Sequence, residues 1–130
     1  MHTREQLLEM HNEHAEWQNK INFYKAELKK FNDQLGEILL DKPDSSAMAE
    51  IEHFQNQFMV QKEVLDIMRH DFKQHENAIE HKQENINIFD SSLSSRHENH
   101  RERLLQFEKL FRELRDEFKG FSNSRLEKQY

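Results

Sequence analysis

The chain contains no cysteine. That excludes disulfides, thiolate metal sites and cysteine nucleophiles, and it fits a cytoplasmic protein. Glycine occurs twice and proline once in 130 residues. Strand-to-strand turns draw on Gly, Pro and Asn-Gly pairs, so this scarcity argues against a sheet protein. No run approaches the roughly 18 apolar residues of a membrane span. The start, Met1 to Gln6, is polar and leads into no apolar stretch, so no secretory signal is expected. Glycine-rich phosphate loops, nucleophile elbows and His-Glu-x-x-His are missing too. These absences point away from an enzyme and from any cofactor with a familiar motif.

Positive charge is also short. The net charge of −6 disfavours nucleic acid and anionic membrane as partners. The balance is uneven along the chain. Residues 1–95 hold 10 Lys/Arg and 18 Asp/Glu, whereas residues 96–130 hold 9 and 7. A basic last third is expected to pair with the acidic segments before it, and its interspersed Glu residues argue against a nucleic-acid groove.

What is present is large apolar side chains at regular spacing, ten Phe among them. Ile51, Phe54, Phe58, Leu65, Met68, Phe72, Ile79, Ile86 and Phe89 alternate steps of three and four, a heptad a/d stripe interrupted by Gln61, His75 and Lys82. The same stripe runs through Leu7, Met10, His14, Trp17, Ile21, Tyr24, Leu28, Phe31, Leu35 and Ile38. It recurs through His97, His100, Leu104, Phe107, Phe111, Leu114, Phe118 and Phe121. The aromatic residues at this spacing read as core.

Three helices follow, over about 4–40, 46–89 and 96–119 or beyond. Thr3-Arg4-Glu5-Gln6 and Ser95-Arg96-His97-Glu98 have the form of capping boxes. Pro43 breaks the helix before it, and Asp44, Ser45 or Ser46 is placed to cap the next. Asp90 to Ser95 reads as the second turn. Gly36 is expected to fray or cap the first helix and Gly120 to cap the third. Ser122 to Tyr130 is a polar tail that either frays or continues the helix.

The fold class is therefore all-α: one domain over residues 1–130, an elongated antiparallel three-helix bundle with coiled-coil packing. This architecture resembles that of the spectrin-type repeat, with three long helices and a Trp, here Trp17, in the core of the first. The resemblance implies a rod and carries no function with it.

Helix two is apolar outside its stripe as well, at Met59, Val60, Val64 and Ile67. Such a helix is usually buried nearly all round. These four residues are the expected interface for self-association, with Phe23 as a lid over part of them. The first functional expectation is accordingly a non-enzymatic structural or interaction module whose partner is a protein, a second copy of itself foremost.

Nine histidines form the compositional oddity. His53, His70 and His81 lie off the stripe, while His14, His75, His97 and His100 lie on it and His11 flanks it. Centring the first turn near Pro43 pairs positions whose numbers sum to roughly 86, which sets His11 level with His75 and His14 with Phe72. Centring the second turn near Ser92 adds Leu110 to that layer and sends His97 and His100 to the end of the bundle. The alternative function is thus a metal site of His11, His14 and His75, with Glu76 or Glu113 nearby. Three imidazoles and an open position suit zinc or another divalent transition metal. His97-Glu98-Asn99-His100 is a second i, i+3 pair. The ferritin-like carboxylate pattern is not met, since no stripe position carries a carboxylate and Glu50-Ile51-Glu52-His53 stands alone. A purely structural polar layer that fixes register, or a pH-sensitive core, would use the same histidines.

Overall fold

The computed structural model describes residues 4–84 and 91–128. Three helices, α1 (Arg4–Leu40), α2 (Ser45–Glu84) and α3 (Ser91–Lys128), pack against one another, and the described residues contain no strand. At 1.5 Å per residue each is about 55–60 Å long. Among the described residues no helix is long and apolar enough to cross a membrane.

The heptad stripes become the core. Ile21, Leu28, Phe31, Phe58, Leu65, Met68, Phe72, Phe111 and Phe118 are buried in one long cluster. Its aromatic rings interlock across all three helices. Phe58 meets Phe118 edge-on at 5.1 Å between centroids, and Phe31 touches both Phe58 and Phe118. Offset and edge-on pairs of this kind add to the burial of apolar area that holds the rod together.

The first turn follows its chemistry. The last carbonyls of α1 are taken by short i→i−3 bonds, Asp41 N to Ile38 O at 3.2 Å and Lys42 N to Leu39 O at 3.3 Å. Lys42, next to Pro43, leaves the helix in the left-handed region with φ of 50°. Asp44 is the cap of α2: its Oδ1 accepts from Ala47 N at 2.8 Å and its carbonyl from Met48 N at 2.9 Å.

Several expected boundaries change. Gly36 and Gly120 end nothing; both lie inside helices with negative φ. α3 begins before Ser95, so Ser91 to Ser95 are helical and Leu93 is fully buried against Leu7 and Ile79. The Ser95 capping box therefore falls inside a helix. Serine tolerates a helical position when a neighbour such as Leu93 gains burial by it. The polar tail continues α3 as far as Lys128, and Arg125 stacks over Phe121 at 6.0 Å and reaches Asp44 at 3.8 Å. The Thr3 cap and the continuation of α2 over 85–89 lie outside the described residues.

Ion pairs fix the rotation of each helix. α3 supplies Arg101 to Glu13 of α1 and Arg103 to Asp71 of α2, as its basic composition leads one to expect. Between α1 and α2, Lys25 meets Asp66 at 2.5 Å. Between α1 and α3, the Tyr24 hydroxyl donates to Glu108 at 2.5 Å.

Candidate metal centre

The core is split. The long cluster stops at Trp17, Phe72 and Leu104, and a small one of Leu7, Ile79 and Leu93 closes the end of the rod. Between them lies a layer of histidine, one from each helix: His14, His75 and His97, 2, 2 and 3% exposed. Heptad phase places them. Each stands one stripe position from a residue of the long cluster in α1 and α2, and four residues after Leu93 in α3.

One ring nitrogen from each of the three lies within 4.8 Å of the others. His14 is 5.0 Å from His75 and 5.5 Å from His97 between ring centroids, and Trp17 lies 4.7 Å from both His14 and His97, tilted to the first and stacked on the second. His75 Nε2 and His97 Nδ1 are 3.1 Å apart. Two nitrogens bound to one tetrahedral ion at about 2.0–2.1 Å stand roughly 3.3 Å apart, so this pair is already close to ligand spacing.

The layer is oriented from outside. Arg101 donates twice to Glu13, Nε to Oε2 at 2.8 Å and Nη2 to Oε1 at 2.7 Å. That fork, chiefly its hydrogen bond, holds the Glu13 carboxyl down at about 2, so it is an anion at any ordinary pH. Glu13 Oε1 lies 2.6 Å from His97 Nε2 and accepts its proton. His97 Nδ1 is left with its lone pair facing the layer, where it accepts from His75 Nε2. A carboxylate behind an imidazole is the arrangement that fixes the tautomer of a metal-binding histidine and raises its basicity.

Burial does the rest. It lowers His14 to about 4 and His75 to about 3, with the neighbouring histidines adding to the effect. Both rings are neutral at pH 7, the form that offers a lone pair. Yet three of the six ring nitrogens, His14 Nδ1, His14 Nε2 and His75 Nδ1, are buried without a hydrogen bond. So is Glu76 Oε2, which lies 3.5 Å from His14 Nδ1. Burial also raises the Glu76 carboxyl.

The expected ligand set is brought together in part. His14 and His75 meet in the core, and Glu76 stands beside them. His11 does not join them; it is half-exposed and binds Glu76 Oε1 through Nδ1, in a second group with Glu80. Glu113 lies elsewhere, on an exposed face. The third buried imidazole is His97, which the turn at Asp90–Ser95 had sent to the end of the bundle. Because α3 already runs from Ser91, His97 rather than Leu110 shares the layer. His100 then packs on Phe72 and His75 at 4.9 and 5.1 Å. Burial lowers His100 as well. His53, His70 and His81 are exposed.

The expected interface residues are distributed differently. Val64 packs on the core, whereas Met59, Val60 and Ile67 are 56, 47 and 56% exposed. Phe23 is exposed too, its ring edge-on to Tyr24, which packs on Phe107 and Phe111 of α3. Comparison with family models, curated proteins and solved structures finds no match for this chain.

Proposed function

We propose that the protein is a metal-binding helical bundle whose centre is His14, His75 and His97. The observation that carries this is the set of buried imidazole nitrogens, mutually facing and half of them unpaired. A layer that served only to fix register would satisfy its polar atoms, because each buried unpaired group costs about 1–3 kcal/mol. A divalent cation between the rings would be held by His97 Nδ1, by His75 Nε2 with the ring's one proton moved to its Nδ1, and by a lone pair of His14. The remaining N–H of His14 then faces Glu76 Oε2. Three neutral imidazoles favour zinc and its neighbours, nickel, copper and iron(II), over magnesium or calcium. The role is binding rather than catalysis.

The test is a thermal melt at pH 7.5 in EDTA and then with each of these metals. An ion at 100-fold over its dissociation constant adds about 2.7 kcal/mol, a rise of roughly 5–10 °C for a chain of this size. A rise with one metal that disappears in His14→Leu is the expected result. No rise with any of them, or the same rise in His14→Leu, overturns the proposal.

Self-association through α2 is a second reading, favoured by the exposure of Met59, Val60 and Ile67. Val64 is a poor probe because it packs on the core. Replacing Val60 and Ile67 with Glu leaves the core intact and is expected to turn an oligomer into a folded monomer by light scattering. A wild type that is monomeric at about 1 mM, a concentration at which even weak dimers are populated, removes this reading.

A further inference from the structure

We infer that the bundle holds a second divalent cation, at His11, Glu76 and Glu80, beside the inner centre and with Glu76 facing both. The inference rests on the reading of His14, His75 and His97 as the first site. One nitrogen of His11 and one oxygen each of Glu76 and Glu80 lie within 4.8 Å of one another. All three line a groove of about 680 Å³ between α1 and α2. His14 lines the same groove, although its side chain is 3% exposed and both its nitrogens lack a hydrogen bond. Its Nδ1 points across 3.5 Å to Glu76 Oε2, while Glu76 Oε1 is turned to His11. Glu76 thus has one oxygen for each group.

This division assigns the roles. In the outer site Glu76 Oε1, Glu80 and His11 bind the cation. Glu76 Oε2, 3.5 Å from His14 Nδ1, would accept the N–H of that ring in the loaded site and so orient the inner ligand from behind, as Glu13 orients His97. Helix geometry supplies the outer set, since Glu76 and Glu80 are four residues apart on one face of α2, opposite His11. One imidazole and two carboxylates form a harder set than three imidazoles. The outer site therefore suits manganese, iron(II), cobalt or zinc, with its open positions facing the groove. A cation there also neutralises Glu76, whose burial otherwise disfavours its charge.

The experiment counts ions. The full chain at pH 7.5 is titrated with cobalt(II), with stoichiometry taken from calorimetry and coordination from the visible absorption bands. Two saturable equivalents are expected for the wild type. Glu80→Gln, an exposed and conservative change, is expected to bind one, with the affinity of the remaining ion altered by less than about threefold. Loss of a ligand of the ion in question, by contrast, costs more than about tenfold. One equivalent in the wild type overturns the second site and leaves the inner one standing. No binding overturns both. Two equivalents in Glu80→Gln as in the wild type place the second ion elsewhere and overturn the inference.

Discussion

His75 Nε2 and His97 Nδ1 face each other at 3.1 Å in the core, yet the other ring of the layer, His14, has no hydrogen bond at all. The three histidines are therefore not equivalent before any metal binds. His14→Leu removes two unpaired buried nitrogens and sets an apolar side chain beside Trp17 and Phe72. In EDTA it is expected to raise stability by about 1–3 kcal/mol. His97→Leu leaves Glu13 and His75 without their partner and is expected to cost a similar amount. Urea unfolding of both variants checks the pair. Equal effects in the same direction would mean that the hydrogen-bonded chain from Arg101 to His75 does not form.

Glu13→Gln isolates the outer end of that chain. The amide oxygen still accepts from His97 and from Arg101 Nη2 but carries no charge, so the imidazole loses basicity while Arg101 Nε gives up its acceptor. Zinc affinity is expected to fall about 10–100-fold, the usual effect of removing a carboxylate behind a metal-bound histidine. A competition assay against a chromophoric chelator measures it. An unchanged affinity would place the ion away from His97.

Much of this was legible in the stripes. The pairing of α1 with α2 followed from Pro43 alone, because a proline and an Asp cap leave little freedom in where a turn falls. It set His14 level with Phe72, which its ring meets at 5.9 Å, and His11 level with His75, whereas His11 turns to Glu76 and it is His14 that meets His75. The pairing with α3 was misjudged because Asp90-Ser91-Ser92 and Ser94-Ser95 look like turn chemistry. The signal that corrects it is Leu93. It stands four residues before His97 and so continues the step-of-four, step-of-three rhythm of α3. Local serine preference is worth tenths of a kcal/mol per residue, whereas burying a leucine is worth about 1.5–3 kcal/mol, so the rhythm wins. The fold-back brought Glu76 near the layer as one of two candidates, but the role of Glu13 had no sequence signal. Glu13 lies beside the stripe, where most carboxylates are solvated.

The two glycines offer a test of the helix boundaries. Gly36 and Gly120 are helical, and a methyl group added at either meets nothing within 4 Å. Gly36→Ala and Gly120→Ala are each expected to stabilise the bundle by about 0.5–1 kcal/mol. That corresponds to roughly 1–4 °C in Tm. A loss of stability in either would mean that the residue caps its helix rather than continuing it.

The pH dependence of the metal-free protein follows from the same layer. Burial lowers His14 from 6.5 to about 4 and His75 from 6.5 to about 3. As pH falls through 6.5 the unfolded chain takes up protons that the folded layer refuses. Stability due to the neutral rings is therefore complete above that pH and declines below it, by about 1.4 kcal/mol per pH unit for each ring until the folded rings titrate. The titratable and charged groups facing the layer are Glu13 and His11 from α1, Glu76 from α2, and Arg96, His100 and Arg101 from α3. Of these, Glu13 acts in a lower window. Its folded value is lowered to about 2, so its contribution is present above about 4.5 and is lost only below that. Urea titrations in EDTA at pH 7.5, 6.5, 5.5 and 4.5 are expected to change little between the first two and to fall steeply after, with a shallower slope in His14→Leu, where His75 and His100 remain. A slope that the variant leaves unchanged would assign the acid sensitivity to other groups and take His14 out of the buried layer.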